Sequence, residues 1–220
     1  MALLRVPLRA SAVSFAITAG LLVAQTLLHP SILDRPVSDV VRDTALWTLM
    51  HLAGLIVAVL GLLGAAGLVA VHGDRMGGLG RAGLVTTLVG SCAAGGVAAV
   101  EAAVFPVLAE RAPDMLDLDG PLLTSWPFLL VGVAAVGWIL GLGMIGAAAA
   151  RSTVFPRAAG ILLAVGSVLF LVLEIPFVPV VGQPSGVLFG AALAWWGWLL
   201  WEAAPASGGS ATTGNMKGLQ

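Results

Sequence analysis

Residues 45–71 read "ALWTLMHLAGLIVAVLGLLGAAGLVAV", a stretch without one aspartate, glutamate, lysine or arginine. A hydrocarbon layer of roughly 30 Å is crossed by about 20 apolar residues in a helix, because lipid offers the backbone no hydrogen-bond partners. This stretch is long enough, and it has company. The chain of 220 residues is 59% hydrophobic and only 10% charged, with a mean hydropathy of +1.05, well outside the soluble range. Outward from the quoted run, similar runs occupy about 10–28, 82–106, 126–150, 158–178 and 186–202. The pattern predicts an all-α, polytopic integral membrane bundle of six transmembrane helices in a single domain, 1–202. Residues 203–220, rich in Gly, Ser and Thr, are expected to form a disordered cytoplasmic tail.

Arg5 and Arg9 precede the first run, but no small-x-small cleavage site comes before His29-Pro30, so the run is read as a span and not a removed leader. Cys92 is the single cysteine, which excludes an intrachain disulfide and a Cys-rich metal site. With the N-terminus inside, Arg5, Arg9, Arg75, Arg81, Arg151, Arg157 and Lys217 face the cytoplasm, against Arg35, Arg42 and Arg111 outside. The positive-inside rule therefore predicts a cell-membrane protein with both termini cytoplasmic. Asp34, Asp39, Asp43, Glu110, Asp114, Asp117 and Asp119 all fall in the two longer outer loops. The inner loop "HGDRMGGLGR" at 72–81 has glycines but no Walker pattern. The bilayer is the expected partner and nucleic acid is not; the glycine-rich spans also suit a homo-oligomer.

Two stretches resemble each other. "RAGLVTTLVGS" from Arg81 and "RAAGILLAVGS" from Arg157 share Arg, Ala, Val, Gly and Ser at the same offsets. Each is preceded by a span beginning near a tryptophan, Trp47 or Trp126, and each runs into a glutamate five residues before a proline: Glu101 with Pro106, Glu174 with Pro179. The hairpins 45–108 and 125–180 are read as two parallel copies of one unit, facing each other across a pseudo-two-fold axis along the membrane normal. Gly137 and Gly141 form a GxxxG pair, and Gly54, Gly61, Gly64 and Gly67 thin one side of the second span, as close helix packing in lipid requires.

At about 1.5 Å per residue, both glutamates lie roughly 8 Å inside the outer boundary, His51 lies at a similar depth, and His29 ends the first span there. An ionised carboxylate facing lipid is costly, so each glutamate is expected to face the bundle interior or a wet cavity, to be protonated, or to have a partner. Ringed together, His29, His51, Glu101 and Glu174 form an outward-facing site with Asp43 and Gln183 at its rim. Two close carboxylates split their proton affinities and make an acid/base pair. With imidazoles added, the four supply N and O ligands that a divalent metal ion accepts. The structural alternative is that the glutamates bond backbone groups freed by the prolines and that His29 caps a helix end.

Three functions fit. The first is binding or transport of a proton, metal ion or small cation at Glu101 and Glu174. The second is a membrane-embedded acid/base enzyme, an isomerase or cyclase, using Glu101, Glu174 and His51 on an isoprenoid or other lipophilic substrate. The third is a structural or accessory subunit. No hydrolase or prenyltransferase motif is present. The tryptophans at 195, 196, 198 and 201, with Trp47 and Trp126, are expected to form interface belts, and Ser91 and Ser167 to bond carbonyls four residues back.

Overall fold

The computed structural model describes residues 8–174 and 182–205; Pro179 and nearly all of the predicted tail lie outside this range. Among the described residues every regular element is helical: α1 (Leu8–Leu28), α2 (Val37–Asp43), α3 (Trp47–His72), α4 (Gly77–Ala103), α5 (Phe105–Arg111), α6 (Trp126–Ala149), α7 (Arg157–Leu169) and α8 (Gly182–Ala203). Four segments are long and apolar enough to cross a membrane, Leu8–Leu28, Trp47–Ala103, Trp126–Ala149 and Arg157–Glu174. Six had been expected. The 57-residue second segment holds two expected spans, folded back at a 3₁₀ turn, Gly73–Met76. The sixth, α8, is not in the set; it opens with Gly-Gln-Pro-Ser-Gly, which lowers its hydropathy.

The six long helices form a closed ring in chain order, each packed on the next: α1 on α3, α3 on α4, α4 on α6, α6 on α7, α7 on α8, and α8 back on α1. Sequence explains the seams, because lipid gives no hydrophobic drive between helices and close van der Waals contact must supply the association. The α4–α6 seam is backbone against backbone: a Cβ at Gly141 would strike Thr87 and the Gly83 carbonyl, and one at Gly90 would fall on the Trp138 backbone. On α3, Gly64 receives the Phe15 ring and Gly67 the Ser11 side chain of α1, while Gly61 receives Trp138 from across the ring. The core inside contains Phe15, Leu68, Leu142, Phe189, Leu193 and Trp196, all fully buried or nearly so.

The α3–α4 reversal depends on glycine. Gly73 (φ 55°, ψ −134°) and Gly77 (φ 60°, ψ −162°) occupy backbone that side chains avoid, at about 1–3 kcal/mol for other residues. Gly73→Ala and Gly77→Ala are each expected to lower unfolding free energy in detergent by about that amount. Gly78→Ala, helical and with open space at its Cβ, should be neutral or slightly stabilising.

The two longer connecting segments, 29–46 and 104–125, contain more structure than the sequence indicates. α2 carries its valines at helical spacing, Val37, Val40 and Val41, and buries them with Trp47, Phe105, Ala109 and Leu116 in a second core. This cap packs on the ends of α3, α4 and α6 through Trp47, Val100 and Phe128. Arg35 pairs with Asp43 at 2.6 Å and Arg42 with Asp39 at 2.9 Å on its surface.

The tryptophans divide differently from the expected belts. Trp126, Trp198 and Trp201 are 76%, 58% and 48% exposed, as interface residues are, but Trp47 and Trp196 are buried. These two have acceptors, Trp47 Nε1 donating to the Glu101 carbonyl (2.7 Å) and Trp196 Nε1 to that of Ala159 (3.0 Å), whereas the buried Trp138 Nε1 has no partner among the described residues. Ser167 bonds the Leu163 carbonyl as expected (2.8 Å). The buried Ser91 hydroxyl has no partner among the described residues, contrary to expectation.

Candidate functional site

Pro106 begins the construction of the site. As the second residue of α5 it has no N–H to give, so the Ala102 carbonyl one turn earlier loses its helical donor. Thr48 of α3 supplies the replacement, its hydroxyl donating to Ala102 O at 3.0 Å, while Trp47 takes the neighbouring Glu101 carbonyl. The backbone exposed by the α4–α5 break is thus satisfied by α3. The Glu101 carboxylate is not needed for that task, which is the structural role it might have filled.

It faces His51 instead. Glu101 Oε2 and His51 Nε2 are 3.5 Å apart, with the imidazole buried and the carboxylate side chain 28% exposed. The other ring nitrogen, Nδ1, is 2.8 Å from the Trp47 carbonyl; a carbonyl only accepts, so Nδ1 carries hydrogen and Nε2 is the nitrogen left for Glu101. Two lone pairs facing each other repel, so the pair is stable with one proton held between them, as imidazolium and carboxylate or as imidazole and carboxylic acid.

His29 stands beside this pair, its ring centroid 5.5 Å from that of His51 and 5.8 Å from that of Trp47. Its Nδ1 donates to the Pro30 carbonyl at 2.9 Å. Burial holds His29 below the ordinary histidine pKa of 6.5, against the opposing effect of that hydrogen bond.

Glu174 ends a π-helical turn, Phe170–Glu174, that follows α7. Its Oε2 lies against Gly182, the first residue of α8, so closely that a Cβ there would collide with it. A helix N-terminus carries the positive end of the backbone dipole, which suits a carboxylate. The two glutamates therefore differ in their surroundings: Glu101 has an imidazole, Glu174 a helix start.

His29, His51, Glu101 and Glu174 line one cavity of about 350 Å³. Gln25 and Thr26 of α1 add further polar groups, and Leu22, Val57, Val97, Val136, Ile139 and Phe170 supply much of the apolar wall. The volume lies in the range of small-molecule sites, roughly 300–1,000 Å³. Asp43 and Gln183, expected at its rim, are not among the lining residues; Asp43 is engaged by Arg35 on the cap.

The metal reading of His29, His51, Glu101 and Glu174 finds no support: among the described residues no three His, Cys, Asp or Glu side chains converge as a metal centre would require. His51 and Glu101 approach each other at 3.5 Å, and Nδ1 of both histidines is turned to a backbone carbonyl. Gln25, Thr26 and Trp138 were missed as lining residues. Gln25-Thr26, one turn before His29, was a legible polar pair, and Trp138 stands at the middle of α6.

No known protein family, curated protein or solved structure matches this chain.

Proposed function

We propose that this is a membrane protein of six crossings, 1–202, built on two repeated hairpins, whose cavity lies toward the outer face and binds a small organic cation, with Glu101 and Glu174 as the anionic groups. The observation that carries the reading is the meeting of four titratable side chains, from four separate segments, on the wall of one otherwise largely apolar cavity. Two carboxylates in an apolar setting attract a cation strongly because little water competes. The acidic outer loops raise the cation concentration at that face. The proton held between His51 and Glu101 supplies a counter-charge that leaves as the cation enters, which makes binding a proton exchange. The cell membrane, with both termini cytoplasmic, is the location this reading requires.

The experiment is thermal unfolding of the purified protein with tetramethylammonium and tetraphenylphosphonium chlorides. A ligand at a hundredfold its Kd stabilises the folded form by about 2.7 kcal/mol, a clear rise in Tm. The rise is expected in the parent and lost in Glu101→Gln and Glu174→Gln. Equal stabilisation of parent and both variants would refute the reading, as would none in any of them.

One observation favours a second reading. The approach of His51 Nε2 to Glu101 Oε2 at 3.5 Å is also the equipment of an acid/base enzyme acting on a lipophilic substrate. Turnover by the parent that His51→Gln abolishes, with cation binding retained, would move the assignment to that class.

A further inference from the structure

The α6 wall of the cavity is unlike the others. None of residues 126–137 is buried, whereas Trp138, Ile139, Gly141, Leu142, Ile145 and Gly146 all are. The close approaches between α6 and α7 that glycine permits are Gly143 with Ser167, Gly146 with Gly160 and Ala164, and Gly160 with Ala150. All lie in the half of α6 remote from the titratable groups. Toward the other end α7 passes into its π-helical turn, and at Gly132, on the cavity wall, an added Cβ would meet nothing within 4 Å among the described residues. The same length of helix presents Leu129, Leu130 and Val133 outward, each more than half exposed. Meanwhile the cap core stands over the ends of α3, α4 and α6, covering that part of the ring.

We infer that the cavity opens sideways into the bilayer, between the first half of α6 and the end of α7, and that its ligand is a membrane-dissolved amphiphilic amine. The inference rests on the cation-binding reading above and adds a route and a substrate class. The ammonium head meets Glu101 and Glu174, and a hydrocarbon body lies against Val136, Ile139 and Phe170. A molecule of this kind concentrates in the membrane through its own apolar surface, and arrives at the depth of the carboxylates with its charge toward the interface.

The test is photolabelling in proteoliposomes with an N,N-dimethyldodecylamine that carries a diazirine in its chain, mapped by mass spectrometry. The parent is compared with Glu101→Gln, Glu174→Gln and Gly132→Phe, the last of which fills the opening where the structure has room. Gly96→Phe, also on open space, controls for the added ring, and size-exclusion profiles check folding. Expected are labels on α6 within 132–139 and on 170–174. Labelling should fall about tenfold or more in the two carboxylate variants and in Gly132→Phe, a loss in keeping with removal of a charge-assisted contact. Unlabelled dimethyldodecylamine should compete at a concentration about tenfold or more below that at which tetramethylammonium does. If tetramethylammonium competes equally and Gly132→Phe labels like the parent, the lateral route and the amphiphile are wrong while the carboxylate site stands. If labelling spreads along the lipid-facing residues of α4 and α7 and ignores every variant, the amine merely partitions into lipid and this inference fails.

Discussion

Replacing Gly90 with valine is expected to abolish the folded protein. Gly90 sits where α4 and α6 touch main chain to main chain, and even a single Cβ would coincide with the backbone of Gly137 and Trp138. No rotamer escapes such a collision, because the obstructing atoms belong to the partner helix itself. The helices must separate, and the contacts of Gly83 and Thr87 with Gly141 part with them. Overpacking in soluble cores typically costs 1–3 kcal/mol and sometimes more; here the upper end, about 3 kcal/mol, is a minimum, since lipid offers separated helices an equally apolar surrounding. The measurement is the yield of monodisperse protein after detergent extraction, with Gly96→Val as the control at a position with open space. Comparable yields for both would mean that α4 and α6 do not meet through Gly90.

Trp47→Ala should be the most damaging substitution among the aromatic residues of the cap. The indole joins three layers: its N–H bonds the Glu101 carbonyl, its ring lies 4.2 Å from His51 and stacks at 6.2 Å on Phe105, and its own carbonyl receives His51 Nδ1. Truncation of a buried tryptophan costs about 3–5 kcal/mol, and here it also removes the ring that holds His51 toward Glu101. Trp47→Phe keeps most of the packing and loses the hydrogen bond, for about 1 kcal/mol. Unfolding in graded denaturing detergent measures both, and faster hydrogen exchange in α2 and α5 locates the damage. Trp126→Ala, at a position 76% exposed, should be nearly neutral; were Trp47→Ala equally mild, Trp47 would be an interface anchor after all.

The contrast between these two tryptophans shows what the sequence could and could not disclose. Both stand at the start of a long apolar run, and hydropathy treats them alike. What separates them is Phe105, Leu116 and the valines of α2, which lie far away in sequence and gather into a cap only in three dimensions. The 37–43 segment did carry a signal, valines at helical spacing, but it is only seven residues long and too short to read as a helix without its tertiary partners. The long helices were legible because the membrane imposes their length: the expected runs at 126–150 and 45–71 differ from α6 and α3 by a residue or two at each end. For the site, depth was legible and direction was not. Counting residues from Pro106 for Glu101 and from the start of the second span for His51 placed the two in one layer, whereas which way each side chain points depends on helix rotation, fixed by glycine seams between helices. The difference between Glu101 and Glu174 was likewise hidden. Glu174 follows Arg157 by about one helical turn less than Glu101 follows Arg81, and it meets the start of α8 where Glu101 meets an imidazole.

The uneven packing of α6 has a mechanical consequence. From Gly137 onward the helix is clamped, by α4 on one side and α7 on the other, through contacts that leave no slack at Gly141 or Gly146. Before Gly137 no such glycine contact among the described residues grips it, and its next support is Phe128, packed in the cap core near its first turn. A stiff rod held near both ends bends least at its supports and most between them. The give in α6 therefore falls around Gly132 and Val133, where the helix borders the carboxylates, and least at the floor of the cavity beside Trp138.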